Sequence, residues 1–130
     1  MLRKVTLLTA VVAVMTLVVA VAAYADEFNG TNGPDVLTGT DETDEIRGFG
    51  GSDELRGGPG NDEVRGQAGE DTIVGGTGDD FLYGGPGEDF IDSADGENGN
   101  DAVFGGGGFD VCFIDPGDFY SGCEVVGTPF

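Results

Sequence analysis

From Gly30 onward the apolar residues of this chain fall on a period of nine. Leu37, Ile46, Leu55, Val64, Ile73, Leu82 and Ile91 are evenly spaced, and after one longer interval Val103 and Cys112 resume the spacing. Two residues before each stands an aspartate: Asp35, Asp44, Asp53, Asp62, Asp71, Asp80, Asp89, Asp101 and Asp110. Cut at glycine, the units read GTNGPDVLT, GTDETDEIR, GFGGSDELR, GGPGNDEVR, GQAGEDTIV, GGTGDDFLY and GGPGEDFID. Ser93, Ala94 and Asp95 then intervene before GENGNDAVF and GGGGFDVCF. Each unit divides into a glycine-rich stretch, predicted as a turn, and three residues rich in β-branched and aromatic side chains, predicted as a short strand. Within that strand the eighth-position residue faces inward while positions seven and nine face solvent. Glu45, Glu54 and Glu63 beside Arg47, Arg56 and Arg65 suit such an exposed face, with pairing across strands open to them. Exposed pairs of this kind contribute only about 0 to 1 kcal/mol.

Ahead of the repeats lies a different pattern. Arg3 and Lys4 precede an uncharged, almost wholly apolar run from Val5 to Ala23, and Ala23-Tyr24-Ala25 offers small residues at the two positions a signal peptidase reads. Residues 1–25 are therefore expected to be a secretory signal removed before Asp26, leaving a secreted, extracellular chain. An uncleaved anchor is the competing reading, since roughly 20 apolar residues span a hydrocarbon core. The abrupt change to polar sequence after Ala25 favours cleavage.

Composition sharpens the picture. The chain holds 26 Gly and 25 Asp+Glu against five Lys+Arg, with no His, and its formal net charge is −20. Glycine at this level raises low-complexity disorder as an alternative, but disorder gives no reason for two positions to stay in phase through nine copies. Every acid lies beyond Ala25, so the remainder carries three arginines against 25 acids, a net charge of −22. Such a field repels nucleic-acid phosphates and anionic lipid and attracts cations, divalent ones most strongly. Neither a nucleic-acid partner nor membrane binding after cleavage is expected.

The repeat resembles that of the RTX, or haemolysin-type, calcium-binding family, whose pattern is G-G-x-G-x-D-x-U-x. Gly57 to Val64, Gly75 to Leu82 and Gly84 to Ile91 match every fixed position, and the resemblance runs from Gly30 to Phe113. It also extends, less specifically, to the ending of short secreted actinobacterial calcium-binding repeat proteins. The resemblance implies an all-β fold, a right-handed parallel β-roll with two repeats per coil and several Ca²⁺ ions between stacked turns. It places the nine sixth-position aspartates on metal, helped by backbone carbonyls. Asp35, Asp53, Asp71, Asp89 and Asp110 would line one edge, and Asp44, Asp62, Asp80 and Asp101 the other. The domain plan is then a signal over residues 1–25, an N-terminal cap at 26–29, the roll over 30–113 and a C-terminal cap over 114–130.

Elementary electrostatics requires a cation in such a stack. Parallel strands lie about 4.8 Å apart, and two carboxylates at that spacing repel by about 3.5 kcal/mol at an effective dielectric of about 20. Oxygen-only donors without His select a hard metal, and Ca²⁺ accepts the irregular cages that Mg²⁺ resists. Extracellular calcium modules bind at about 10⁻⁴ to 10⁻³ M. One inward apolar residue per repeat is little hydrophobic drive, so calcium is expected to drive folding itself.

Several features depart from the pattern. Thr31, Thr40, Phe49, Gln67 and Glu97 replace the second glycine, and Glu42 replaces the fourth. Glycine alone adopts positive φ without steric cost, so the turn at Glu42 is expected to be the weakest metal site, and Ser93 to Asp95 to bulge one coil. Many relatives leave the cell through a dedicated route with a C-terminal signal, whereas this chain carries an N-terminal one. Cys112 and Cys123 are expected to form a disulfide in an exported chain, free buried thiols and pairing between chains being the alternatives. The loop they close would, with Val125 and Val126, cover the last coil.

Catalysis is disfavoured. A calcium-dependent polysaccharide lyase needs a base in a long groove, and Arg47, Arg56 and Arg65 sit at periodic, solvent-facing positions. Ser52, Ser93 and Ser121 have no His to activate them. The expectation is a non-enzymatic, calcium-folded structural element or calcium sink. Calcium-dependent adhesion, with Phe81, Tyr83 and Phe90 stacking on a cell-wall or matrix polysaccharide, is the alternative.

Overall fold

The structure, a computed structural model, describes residues 25–128; the apolar run and most of the expected signal lie outside them. Its strands are β1 (Asp26–Asn29), β2 (Val36–Thr38), β3 (Asp44–Gly50), β4 (Glu54–Pro59), β5 (Glu63–Ala68), β6 (Thr72–Thr77), β7 (Phe81–Pro86), β8 (Phe90–Asp92), β9 (Ala102–Gly107), β10 (Val111–Phe113), β11 (Phe119–Ser121) and β12 (Val125–Gly127). No helix occurs among the described residues. Odd-numbered strands form one six-stranded parallel sheet in chain order, and even-numbered strands form the other. The chain therefore winds as a parallel β-solenoid of about six coils, two repeats to a coil, as the family resemblance implied.

Register follows from the period. Ile46 stands beside Val64 and Leu55 beside Ile73. Across the insertion Leu82 still stands beside Val103, and Ile91 beside Cys112. This alignment puts all inward side chains in one column between the sheets: Ile46, Leu55, Val64, Ile73, Leu82, Ile91, Val103 and Cys112 are fully buried. Ile114 completes the core, and Phe28, Leu37 and Cys123 pack against it partly buried.

Both expected caps are built as strands. Asp26-Glu27-Phe28-Asn29 occupies the register of positions six to nine, pairing Asp26 with Asp44 and Phe28 with Ile46. At the other end β11 joins β9 and β12 joins β10, so the C-terminal segment adds a further coil. Cys112 and Cys123 are joined in a disulfide with their Cα atoms 6.0 Å apart.

In-register stacking also decides the surface charges. Glu45 lies beside Glu63 and Arg47 beside Arg65, so opposite charges meet mainly within a strand. Glu54 pairs with Arg56 at 2.6 Å, and Glu45–Arg47 and Glu63–Arg65 repeat the arrangement. Arg47 to Glu27, at 2.5 Å, is the pair that crosses strands.

The insertion is absorbed locally. Ser93 is buried and donates its N–H to the Phe113 carbonyl at 3.0 Å. The Asp115 carboxylate accepts the N–H groups of Asp95 at 2.9 Å and Gly96 at 2.6 Å. The bulge is thus tied down by an acid of the terminal coil.

Candidate metal sites on the two edges

Each sixth-position aspartate sits where the chain leaves its glycine turn and enters a strand, so its carboxylate points back under the turn. One oxygen has a structural task. Asp53 Oδ1 accepts the Asp35 N–H, Asp71 that of Asp53, Asp89 that of Asp71 and Asp110 that of Asp89, each at 2.9 Å. On the opposite edge Asp62 accepts from Asp44 at 2.8 Å, Asp80 from Asp62 at 2.9 Å and Asp101 from Asp80 at 2.8 Å. The nine aspartates thus fall into the two columns that the family resemblance implied, each linked coil to coil.

Both columns end on acids outside the nine. Glu124 accepts the Asp110 N–H at 2.8 Å, and Asp118 Oδ1 accepts those of Gly99, Asn100 and Asp101 at 3.1 to 3.3 Å. Sequence reasoning missed both. Their signal was an acid two residues before Tyr120 or Val126, in the register of positions six and eight, but without the glycine turn that marks a repeat.

The second oxygen is the chemically active one. In Asp53, Asp62, Asp71, Asp80, Asp89, Asp101 and Asp110, Oδ2 is buried and has no hydrogen-bond partner. A buried carboxylate oxygen left unpaired is costly, so seven of them along two edges call for a cation. The first glycine of each turn leaves room beside them. A Cβ on Gly57 would lie 2.5 Å from both Asp62 Oδ2 and the Gly75 carbonyl oxygen of the next coil. Gly48, Gly66, Gly84 and Gly105 likewise face their own aspartate and a carbonyl of the following coil. The insertion interrupts this: Gly96 faces open space, and the atoms nearest a Cβ on Gly75 belong to Asp80 and Leu82 instead of a carbonyl of the next coil.

The backbone of the turns is equally regular from the third to the seventh repeat and again in the ninth, whereas the eighth, after the insertion, has its positive φ at Gly96 and Gly99. Gly58 at φ 108° and Gly60 at φ 127° show the left-handed geometry of positions two and four. Phe49 and Gln67 are held at φ 75° in the same role, a conformation that costs a non-glycine residue about 1–3 kcal/mol. Thr31, Gly33, Thr40 and Glu42 do not share it.

Burial is the first cause of raised carboxylate pKa values here, with neighbouring carboxylates adding to it and the coil-to-coil N–H bonds opposing it. Asp62 and Asp80 are pushed up to about 6, and Asp89 and Asp101 to about 7. Asp53, Asp71 and Asp110 are raised as well. Ionising these groups places negative charge where no cationic side chain offsets it.

Among the described residues no three or more His, Cys, Asp or Glu gather around one point. A metal here must therefore be held by one or two carboxylates and completed by backbone carbonyls. All-oxygen donors in a flexible turn suit Ca²⁺ in type and hardness. The residues present fit the ion.

A family model described as the RTX calcium-binding nonapeptide repeat matches the chain in four copies, over residues 29–64, 56–91, 65–98 and 91–112. No curated protein and no solved structure matches it.

Proposed function

The chain belongs to the RTX calcium-binding nonapeptide repeat family, and from that premise we propose that it is a secreted, non-enzymatic protein that folds by taking up Ca²⁺ between its stacked turns. The sixth-position aspartates from Asp53 to Asp110 would hold the ions through Oδ2, with first-position glycine carbonyls beside them. The ion supplies the positive charge that both columns lack.

One observation carries this reading: seven buried, unpartnered carboxylate oxygens, regularly placed. Without a cation they oppose folding, and the single inward side chain per repeat offsets little of that cost. Far-UV circular dichroism, started in chelator and titrated with Ca²⁺ against a Mg²⁺ control, tests the proposal. The β signal is expected to appear with Ca²⁺. A full β spectrum already present in chelator and unmoved by calcium contradicts coupled folding.

The absence of catalysis is supported by the sequence, which has no His, and by the three arginines being paired with glutamates instead of converging on one pocket. Secretion is supported by the N-terminal pattern.

A second reading, adhesion to a cell-wall or matrix polysaccharide, is favoured by one feature. On the outer face of the odd-numbered sheet Tyr83 stacks on Phe104 at 5.0 Å, with Phe81 at 5.1 Å and Phe119 at 5.5 Å from Phe104. Such rings offer faces to sugar C–H groups. Calcium-dependent retention on insoluble polysaccharide, lost in Tyr83→Ala, is the expected result under that reading; equal retention of both forms contradicts it.

A further inference from the structure

We propose that calcium loading begins at the third repeat, and that Thr31 and Thr40 take the place of the metal at Asp35 and Asp44. The inference rests on the repeats being calcium sites and specifies which of them are.

The nine aspartates occupy equivalent positions, yet their outer oxygens fall into two groups. Seven have no partner. The other two are saturated from within their own turns. Asp35 Oδ2 accepts the Thr31 N–H at 2.6 Å and the Thr31 hydroxyl at 2.9 Å. Asp44 Oδ2 accepts the Thr40 N–H at 2.6 Å and its hydroxyl at 3.1 Å.

The cause lies in position two. Thr31 and Thr40 are the two threonines there; the other repeats have Phe49, Gly58, Gln67, Gly76, Gly85, Glu97 and Gly106. A hydroxyl one bond from Cβ reaches the carboxylate across the turn, and it simultaneously accepts an N–H two residues on. Thr31 Oγ1 accepts that of Gly33, and Thr40 Oγ1 that of Glu42, both at 3.1 Å. This local closure replaces the positive-φ turn of later repeats, so the backbone and the carboxylate are satisfied together. Glu42 is not the cause, because the first repeat closes in the same way with Gly33 at position four.

Oxygens that already accept two hydrogen bonds each are poor competitors for a metal with seven open oxygens nearby. The first coil thereby becomes a metal-independent end against which the calcium-loaded coils stack, with Phe28, Leu37 and Ile46 beneath it.

Native mass spectrometry of the purified protein at saturating Ca²⁺ counts the ions. At most seven are expected, one per unpartnered Oδ2. Asp35→Asn and Asp44→Asn should leave the count unchanged, whereas Asp62→Asn and Asp71→Asn should each lower it. Thr31→Gly with Thr40→Gly should raise it. Loss of an ion in Asp35→Asn or Asp44→Asn overturns the inference, as does an unchanged count in a folded double threonine variant. An unmodified protein that binds no calcium contradicts the functional reading itself.

Discussion

The central aspartate columns and the coil that ends them solve the same problem differently. From Asp53 to Asp110 each carboxylate spends one oxygen on the coil before it and leaves the other buried and open. In the terminal coil Asp118 uses both oxygens: Oδ1 accepts from Gly99, Asn100 and Asp101, and Oδ2 from the Asp115 N–H at 2.8 Å. A disulfide then ties that coil to the last repeat. Identical chemistry at the ladder position thus produces a demand for a cation in one region and none in the other. What differs is whether the neighbouring backbone supplies enough donors.

Acidification should sharpen this contrast most, because it acts on every open carboxylate together. Folded-state pKa values of about 6 to about 7 at Asp62, Asp80, Asp89 and Asp101 lie above the ordinary aspartate value of about 3.9. The folded calcium-free chain therefore binds protons more tightly than the unfolded one. Its stability should rise as pH falls through about 7, level off below about 4, and be lowest above pH 7. Calcium should bind more weakly over the same window, since protons compete for the same oxygens. Circular dichroism in chelator at pH 7.5 and pH 5 checks the sign: more β structure is expected at pH 5, and less would reverse the assignment of cause.

Removing the disulfide acts on the other region. In the chain-entropy model its loop is worth about 3 kcal/mol. Reduction, or Cys112→Ala with Cys123→Ala, should lower the urea midpoint of the calcium-loaded protein and free the amides of β11 and β12. The calcium midpoint of the central repeats should hardly move. A central midpoint that collapses on reduction would mean that the two regions fold as one unit.

The smallest expected effect separates a filled cradle from an open surface. Gly57→Ala drives a methyl group between Asp62 Oδ2 and the Gly75 carbonyl and should cost about 1–3 kcal/mol through overpacking, read as a raised calcium midpoint. Gly107→Ala meets nothing within 4 Å and should change stability by no more than about 0.5 kcal/mol. Equal effects would remove the distinction.

Legibility in the sequence follows the same division. The period of nine was enough to mark the inward positions from Ile46 to Cys112, and the family resemblance supplied two repeats per coil and hence the two edges, because stacking in register converts a sequence interval directly into a spatial one. Asp118, Glu124 and strands β1, β11 and β12 were hidden, since recognition of a unit depended on its glycine turn and these lack it. Thr31 and Thr40 read only as missing glycines. That a hydroxyl there saturates Asp35 and Asp44 depends on a turn conformation that no spacing reports. The coil-to-coil bonds from N–H to Oδ1 were equally invisible, because they join residues a full coil apart through a backbone donor that every sequence possesses.

Residue-resolved hydrogen exchange in chelator and in saturating Ca²⁺ tests most directly whether the open carboxylate columns make folding depend on calcium. The amides of β4 to β8 should exchange freely in chelator and become strongly protected with Ca²⁺ at neutral pH. Protection of those strands in chelator equal to that in calcium would contradict the dependence.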